Sequence, residues 1–163
     1  MEKSRVEIEK IILSFLDEHG EDYYSCALST CWNNEPRNTP INARHNGLNM
    51  YSVVDPGGKI ENIRKNPKVC LAIFMPVGKG YMRNVRGLQM WGIASLITRK
   101  DDPGEFEKGF ATIRLDEITQ AVYGKPMPEE VKNRITILKI VPDRISYFDL
   151  TSGKPEKYTW ERE

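Results

Sequence analysis

The apolar positions of the chain begin with a helical period. Ser4 and Glu7 have the spacing of a capping box, and Gly20 supplies a helix stop. The apolar residues between them recur at the spacing of one helix face: Ile8, Ile11, Ile12, Phe15 and Leu16. The pattern predicts an N-terminal helix that packs this stripe against a core.

After this helix the pattern changes to short β-compatible runs separated by turn residues. Pro40 inside the second run predicts an edge position or a bulge, because proline cannot donate a hydrogen bond to a sheet. Asn46-Gly47, which ends the same run, is typical of a tight hairpin. The strands predicted in this part are Tyr24–Trp32, Arg37–Arg44, Leu48–Val54, Lys68–Met75 and Gly87–Ile97.

Two helical regions accompany these strands. Lys59–Lys65 has the pattern of a short amphipathic helix, with Ile60 and Ile63 on one side. Pro103–Arg134 is a polar helix-and-turn region in which two prolines separate two helical pieces. The chain then returns to strands at Ile135–Val141, Arg144–Leu150 and Glu156–Trp160.

Many short strands and few long helices predict a mainly β fold. We expect a small antiparallel barrel of six or seven strands, with the N-terminal helix and a helical insertion before the last strands. No repeat, low-complexity segment or linker interrupts the pattern, so we expect one domain over residues 1–163. The longest apolar run, Val69–Val77, is too short to span a bilayer, and the N-terminus lacks an apolar signal core. These features predict a cytoplasmic protein with no membrane partner.

Composition and charge narrow the classes of function. The chain has 163 residues, with 24 Lys and Arg against 23 Asp and Glu, and a formal net charge of +1. Its 39% apolar and 29% charged residues are typical of a globular protein. The near balance of charge argues against a protein that coats nucleic acid through bulk electrostatics. Any anion that the chain binds must therefore be held by a local site.

The cysteines, histidines and acid pairs indicate neither a metal site nor a nucleophile. Three Cys and two distant His (His19 and His45) supply no four-ligand zinc pattern. Neither His has a Ser, Cys or Asp at a diagnostic spacing, so the catalytic residues stay unknown and no metal is predicted. Asp101-Asp102 and Glu129-Glu130 are expected to cap or solvate helix starts.

The most informative segment is the turn from the third strand into the short helix. Asp55-Pro56-Gly57-Gly58 leads to Lys59, and a helix N-terminus presents unpaired N–H groups and a positive dipole end. Glycine lets the backbone approach an anion closely, and Arg37 adds a cation from a neighbouring strand. Tyr51 and Ser52 place an aromatic ring and a hydroxyl just before the turn. The segment is a candidate phosphate site, and a glycine turn with a solvated lysine is the alternative.

A second cationic segment lies in the loop Gly78–Arg86, where Lys79, Arg83 and Arg86 surround Tyr81. Such a loop could contact a nucleic acid backbone. One short basic loop in a nearly neutral chain is weak support for that function, however, and we interpret it as a hairpin near a ligand mouth. We predict no nucleic-acid partner.

The order of these elements resembles the FMN-binding split-barrel family, which includes pyridoxamine 5′-phosphate oxidase. The first segment that carries the resemblance is EPRNTPINARHNGLNMYSVVDPGGKIENIRKNPKVCLAIF, with its proline-containing strand, hairpin, small-residue turn, short helix and apolar strand. The second is GLQMWGIASLI, which resembles a long strand with a central glycine, and the third is ILKIVPDRISYFDL, which resembles the closing strand pair. Together with the N-terminal helix they span most of the chain.

The resemblance implies a six-stranded split barrel and a homodimer that holds FMN at the subunit interface. Arg37 matches a cation on the second strand that contacts the flavin phosphate. Gly58 and Lys59 match the turn where an Arg-Lys pair binds phosphate, of which the lysine survives. Asn42 stands where these oxidases often have a lysine near the flavin ring.

The remaining matched positions lie on three other strands. Tyr51 and Ser52 match an aromatic–hydroxyl pair at the end of the third strand. Gln89 lies near a glutamine that, in the family, reaches the flavin from the partner subunit. Phe148 matches an aromatic residue, often tryptophan, near the isoalloxazine ring on the penultimate strand.

The C-terminal end departs from the pyridoxamine phosphate oxidases. They grip their substrate with an Arg- and His-containing segment, whereas this chain ends in SGKPEKYTWERE, with Lys157 and Thr159 at the nearest positions. The resemblance therefore implies an FMN-dependent oxidoreductase of an unidentified small molecule, and not the vitamin B6 enzyme. The alternatives are a relative that binds deazaflavin F420 or haem, and a flavin-binding or flavin-sensing protein without turnover.

Overall fold

The N-terminal helix forms as its sequence predicts. A computed structural model describes residues 3–18, 24–75 and 85–163. Helix α1 spans Arg5–Asp17, and the Ser4 hydroxyl accepts from the Glu7 backbone N–H while the Glu7 carboxylate accepts from the Ser4 N–H at 2.7 Å. This is the predicted capping box, and it orients the helix so that Phe15 and Leu16 are buried. The predicted stop, Gly20, lies outside the described residues.

The strands form a closed antiparallel barrel with one extra strand. The sheet order is β3-β2-β1-β4-β5-β6-β7, and a pairing of β3 with β6 closes the barrel over its six strands. Strand β7 lies outside this ring and pairs with β6. The predicted mainly β, six-stranded antiparallel barrel is confirmed. The strands are β1 (Tyr24–Trp32), β2 (Glu35–Asn46), β3 (Asn49–Val54), β4 (Lys68–Phe74), β5 (Arg86–Thr98), β6 (Thr136–Asp149) and β7 (Glu156–Glu161).

The edge position predicted for Pro40 is confirmed. Pro40 lies opposite Ala27 of β1, and in the described structure only the last three residues of β2 also pair with β3. The missing N–H of Pro40 therefore interrupts no second ladder. The hairpin at Asn46-Gly47 also forms, with Gly47 at a φ of 58°.

The helical insertion has three helices rather than the two predicted. They are α3 (Pro103–Ile113), α4 (Leu115–Tyr123) and α5 (Glu129–Lys132), and the earlier helix α2 spans Gly58–Lys65. The additional break is at Arg114, which takes a left-handed conformation with a φ of 60° between α3 and α4. A left-handed arginine is uncommon, so no residue type in the sequence marks this break. The prolines separate α4 from α5 as predicted.

The two strands predicted at Ile135–Val141 and Arg144–Leu150 are one strand, β6. The ladder with β5 shifts its register between Trp91 and Gly92, so that Arg144 lies opposite Trp91 and Pro142 lies opposite Gly92. Asp143 is the extra residue of this bulge. The bulge lets the strand continue past a proline, which is why the predicted break does not occur.

The core has two parts, on the inner and outer surfaces of the barrel. The larger part fills the barrel and packs against α1 and α2, where Ile60 and Ile63 are buried as predicted. The smaller part lies between the barrel and α3 and contains Tyr51, Ile97, Phe106, Phe110, Ile113 and Ile137. Successive side chains of β3 point to opposite faces of the sheet, so Met50 lies in the larger part of the core and Tyr51 in the smaller part. No helix in the described part of the chain is long and apolar enough to cross a membrane.

The close contact at the β6 bulge makes a test of this register. A Cβ at Gly92 would overlap the Val141 carbonyl oxygen and lie 2.8 Å from the Pro142 Cα. We expect Gly92→Ala to lower the free energy of unfolding by about 2 kcal/mol, since two backbones must separate. Urea denaturation measures the change. Gly104→Ala is the matched control, because its Cβ meets nothing closer than 3.8 Å in a helix, and equal losses in both variants would contradict the register.

Candidate functional site

The structure brings the predicted phosphate residues together at the start of α2. A Cβ on Gly58 would lie 2.8 Å from three atoms of the Arg37 guanidinium group, so that group rests directly on the Gly58 backbone. Lys59 is the next residue of the helix and is half-buried. We call the group of Arg37, Gly57, Gly58 and Lys59 the phosphate cradle. Sequence reasoning placed Arg37, Gly58 and Lys59 together. In the structure Arg37 lies opposite Thr30 of β1, and Asn62 of α2 donates to the Thr30 hydroxyl at 3.1 Å, so β1 holds both elements side by side.

The backbone of the phosphate cradle leaves two amides available. The first helical bonds of α2 run from the N–H groups of Ile60 and Glu61 to the Gly57 carbonyl. In the described structure the N–H groups of Gly58 and Lys59 have no acceptor, and no side chain caps the helix. Gly57 holds a φ of 151°, a conformation that other residues rarely adopt. Two available amides and the Arg37 guanidinium group therefore lie at one helix terminus, and Lys59 adds a second cation in the first turn.

Asn42 lies beyond the phosphate cradle, in a crevice between the hairpin and the helical insertion. The crevice has a volume of about 370 Å³. Its lining is Asn42, Val53, Asp55, Ile113, Leu115 and Ile118, and we call it the β2–β3 crevice. Asp55 of this crevice lies two residues before Gly57 of the cradle, in the turn between β3 and α2. The exposed Asn42 amide is the predicted neighbour of a flavin ring, and that role stays a prediction.

Tyr51 and Ser52 are both buried, and both hydroxyls bond within the chain. The Ser52 hydroxyl donates to the Asn42 carbonyl at 2.6 Å, which ties β3 to β2 beside the crevice. The Tyr51 hydroxyl donates to the Glu105 carboxylate of α3 at 2.7 Å. Their predicted contacts with a ligand stay predictions. The structure shows that both hydroxyls hold neighbouring elements in place.

Glu105 joins Tyr51 to a cation on the neighbouring strand. Lys139 of β6 lies 2.9 Å from the same carboxylate oxygen that accepts from Tyr51. Although partial burial acts to raise it, the pKa of Glu105 lies below its ordinary value, because Lys139 and Tyr51 both hydrogen-bond to the ionised form. The pKa of Tyr51 lies above its ordinary value, mainly because the phenol is buried and also because its hydroxyl donates to Glu105. This triad fixes α3 over the end of β3.

Gln89 and Phe148 lie on the outer face of the barrel, away from the phosphate cradle. Both line an open groove of about 660 Å³, which we call the outer groove. Its other lining residues are mainly apolar: Ala72, Ile73, Phe74, Met75, Val85, Arg86, Gly87, Leu88, Ser146 and Lys157. No cradle residue is among them. Within one chain the structure therefore brings Arg37, Gly58 and Lys59 together, and separately Gln89 and Phe148.

Several residues near the site escaped sequence reasoning. Glu105 and Lys139 contact Tyr51 from α3 and β6, and Asp55 lines the crevice beside Asn42. The sequence does indicate that Glu105 lies in the first turn of a helix, because Asp102 three residues earlier is a typical N-cap residue. In the structure Asp102 accepts from the Glu105 N–H at 3.0 Å. The position of Lys139 depends on the pairing of β3 with β6, which no local pattern shows.

The other candidate groups have ordinary structural contacts. His45 has Nδ1 3.0 Å from the Gly47 carbonyl oxygen and Nε2 3.3 Å from the Asp17 carboxylate. The three cysteines are free thiols, and burial raises the pKa of Cys26 to about 12. In the described ranges no three His, Cys, Asp or Glu side chains form a metal-binding group. His19 and most of the loop Gly78–Arg86 lie outside the described residues.

Comparison with known proteins finds similarity in structure. No protein-family model matches the chain, and neither does any curated protein. A solved structure from Clostridium acetobutylicum, related to general stress protein 26 and of the pyridoxinephosphate oxidase family, is similar with a TM-score of 0.62 and 16% identity, over 98% of this chain and 96% of that chain. The chain has the split-barrel fold.

Two further split-barrel structures carry different cofactor descriptions. A FAD-binding protein from Mesorhizobium loti is similar with a TM-score of 0.61 and 18% identity, over 89% of this chain and 94% of that chain. A haem-binding protein from Mycobacterium smegmatis has a TM-score of 0.62 and 12% identity, over 98% of this chain and 59% of that chain. At these identities the similarity establishes the fold alone.

The Tyr51–Glu105 bond in this split barrel can be tested through stability. We expect Tyr51→Phe to lower the free energy of unfolding by about 1 kcal/mol at pH 7. The pKa of Glu105 is lower in the folded than in the unfolded chain, so its contribution is present at neutral pH and is lost as the pH falls below about 4. The difference between wild type and Tyr51→Phe should therefore shrink in acid. Urea denaturation at pH 7 and pH 3 measures it.

Tyr123→Phe is the control for this prediction, because Tyr123 is 72% exposed at the end of α4. It should unfold as the wild type does at both pH values. A loss in Tyr51→Phe that stays constant from pH 7 to pH 3 would show that the Tyr51 hydroxyl stabilises the chain without Glu105.

Proposed function

We propose that this chain is an FMN-binding flavoprotein and an oxidoreductase of a small molecule. The observation that carries the proposal is the Arg37 guanidinium group resting on Gly58 at the N-terminus of α2, with Lys59 beside it. A helix terminus with two available amides and two cations fits the dianionic phosphate of FMN. Riboflavin without its phosphate lacks the group that this arrangement would recognise.

The positive charge of the phosphate cradle is local, and this supports a phosphate ligand. The whole chain carries a formal net charge of only +1, so its surface as a whole does not attract anions strongly. In the described part of the chain neither Arg37 nor Lys59 has a carboxylate within ion-pairing distance. Both cations are therefore available to an incoming phosphate.

The separation of the cradle from the outer groove supports a homodimer. Gln89 and Phe148, the residues that the resemblance places at the flavin ring, line the outer groove, and among the described residues neither Arg37 nor Lys59 lines it. The outer face also exposes large apolar side chains, with Phe74 64%, Phe148 38% and Ile93 38% exposed. Such a patch favours contact with another protein surface. In our proposal, FMN lies between the cradle of one copy and the outer groove of a second.

The proposed chemistry needs little from the side chains beyond binding and orientation. FMN, when bound, supplies hydride or electron transfer at its ring. Arg37, Lys59 and the two amides would hold the phosphate, and the Asn42 amide would hydrogen-bond to an edge of the ring. Gln89 and Phe148 would contact the ring from the outer groove. No general acid–base pair is needed for this reaction, and we assign none.

Haem is the second cofactor candidate, because a similar solved structure is that of a haem-binding protein. The contacts of His45 make it a poor axial ligand, since both ring nitrogens lie near other groups. Purified protein distinguishes the candidates by its visible spectrum. A flavin spectrum that survives desalting supports FMN, a Soret band supports haem, and a colourless protein that added FMN does not reconstitute contradicts the proposal.

The phosphate assignment predicts a difference between two ligands. Arg37→Gln and Lys59→Gln should each weaken FMN binding about ten-fold or more, since each removes a charged donor to the phosphate. Both variants should bind riboflavin nearly as the wild type does. Titration of apoprotein with each ligand, followed by quenching of flavin fluorescence, measures the two affinities.

Arg64→Gln is the matched control for these variants. Arg64 is an exposed cation on the same helix, at its opposite end. Its replacement should leave the FMN affinity unchanged at moderate salt. Equal losses of FMN and riboflavin in Arg37→Gln and Lys59→Gln would contradict the proposal that the cradle binds phosphate.

The two-copy site predicts complementation between defective variants. Arg37→Gln/Lys59→Gln lacks the cradle, and Gln89→Leu/Phe148→Ala lacks the ring contacts of the groove. In a heterodimer of the two, one site has an intact cradle and an intact groove, and random mixing restores about a quarter of all sites. Co-expressed protein should therefore hold flavin when neither variant alone does so. A flavin content of the co-expressed protein no higher than that of the two variants purified separately would contradict a shared site.

A further inference from the structure

Trp32 carries an exposed aromatic ring that the proposed flavin site does not use. Trp32 ends β1, and 45% of the residue is exposed. The tight turn that follows has Asn33 and Asn34 at positive φ angles of 52° and 60°. In the part of the chain that the structure describes, the Trp32 indole N–H donates to no protein group. An exposed ring at a tight turn is a surface on which a planar ligand can stack.

The strand register places Trp32 on the same face of the sheet as Arg37. In the β1–β2 ladder Arg37 lies opposite Thr30, and Trp32 lies opposite Glu35. Directly opposite residues and residues two apart on one strand point to the same face, so these four side chains share a face. Asn62 of α2 donates to the Thr30 hydroxyl, which shows that this face meets α2. Cβ atoms at diagonal positions such as those of Arg37 and Trp32 are roughly 7 Å apart, which one nucleoside can span.

Helix α2 connects the phosphate cradle to the Trp32 ring. The Asn62 amide donates to the Thr30 hydroxyl at 3.1 Å, and the Asn66 amide donates to a backbone carbonyl of β1 at 3.0 Å. Near the end of the helix, the Lys65 ammonium nitrogen lies 5.6 Å from the centre of the Trp32 ring. The helix therefore begins at the cradle and ends beside the ring, and its contacts with β1 fix the distance between the two.

The side of α2 along this face carries two cations that are available to phosphate. Lys59, Asn62 and Lys65 follow one another at intervals of three residues, so they lie on one side of the helix. Among the described residues, neither Lys59 nor Lys65 has a carboxylate within ion-pairing distance. Glu35, opposite Trp32, is exposed and adds an acceptor that ribose hydroxyls can donate to.

The Trp32 ring lies on the side of the cradle that faces away from the predicted flavin ring. Along β2, Asn42 follows Arg37, whereas Glu35 precedes it and pairs with Trp32. A flavin whose ring lies toward Asn42 therefore leaves the other side of its phosphate open. A group that continues from the phosphate in that direction meets Trp32 and Lys65. Such a group needs a planar base for the ring and a second phosphate for the cations.

We propose that the phosphate cradle and the Trp32 ring together bind an adenosine diphosphate group, as the adenine half of FAD. The flavin half of this ligand rests on the proposed function, whereas the binding of the adenosine diphosphate group does not. The two phosphates lie at Arg37 and Lys59, and the adenine ring stacks on Trp32. Lys65 attracts the phosphate nearer to the base, and Glu35 accepts from the ribose. The FMN half of FAD keeps the position proposed above.

Two probes without a flavin ring test the base site on the full chain. Calorimetry compares ADP with inorganic pyrophosphate, which has the two phosphates and lacks the adenosine. We expect ADP to bind about ten-fold more tightly, because only ADP has a base that can stack. Arg37→Gln should weaken both probes alike, since it removes a donor to phosphate. Equal affinities of the wild type for ADP and pyrophosphate, or an ADP affinity that Arg37→Gln leaves unchanged, would overturn the proposal.

Variants of Trp32 locate the base. Trp32→Ala should remove the advantage of ADP over pyrophosphate, whereas Trp32→Phe should keep most of it, since any aromatic ring can stack. ADP should also quench the tryptophan fluorescence of the wild type and not that of Trp32→Phe. Tyr123→Ala is the matched control, because this exposed ring lies at the end of α4. An advantage that survives Trp32→Ala or is lost equally in Tyr123→Ala, or quenching that persists in Trp32→Phe, would contradict the assignment.

Flavin binding separates this inference from the proposed function. FMN carries about two negative charges near neutral pH, as does the pyrophosphate of FAD, so a difference in their affinities reports the adenosine. The wild type should bind FAD about ten-fold more tightly than FMN, and Trp32→Ala should bind both alike. If the wild type binds both flavins equally and Trp32→Ala changes neither affinity, the proposed function stands and this inference fails. If neither flavin binds while ADP binding still depends on Trp32, the proposed function fails and the base site stands.

Discussion

The pairing of β3 with β6 is the interaction on which the rest of the structure depends. Five residue pairs, from Met50 with Ile140 to Val54 with Thr136, close the barrel. The closure fixes which residues of β3 face inward, and it ends the strand where the turn into α2 begins. It also brings Lys139 beside Tyr51, so that Glu105 can join both and hold α3 over the barrel. Without this pairing neither the phosphate cradle nor the β2–β3 crevice would have its walls.

The outer face of the barrel owes its form to the bulge at Asp143. The extra residue keeps Arg144, Ser146 and Phe148 on the outer surface after Pro142, where they align with β5 and β7. This face therefore holds the apolar outer groove, whose lining contains no residue of the phosphate cradle. In our proposal FMN contacts the cradle of one copy and the outer groove of a second.

Several elements of the fold could be predicted because they are stabilised by interactions between residues that are close in sequence. The capping box of α1, the hairpin at Asn46-Gly47 and the buried pair on α2 each depend on residues that are close in sequence. The phosphate cradle is different, because Arg37 and Gly58 are far apart in the sequence and meet where β2 and α2 both lie beside β1. The break at Arg114 and the continuous β6 were predicted wrongly, because an arginine in a left-handed conformation and a bulge that accommodates a proline are stabilised by the surrounding packing.

By itself the sequence determined the barrel class, the N-terminal helix and the cation-bearing turn, because hydrophobic period, caps and glycines act over a few residues. The tertiary structure alone decided which distant side chains meet. Burial of Tyr51 under α3, the row of Trp91 with Arg144, and the separation of Gln89 from Arg37 all follow from strand register. Register is set by the packing of the whole sheet, so a shift of one residue would exchange the inner and outer faces of each strand.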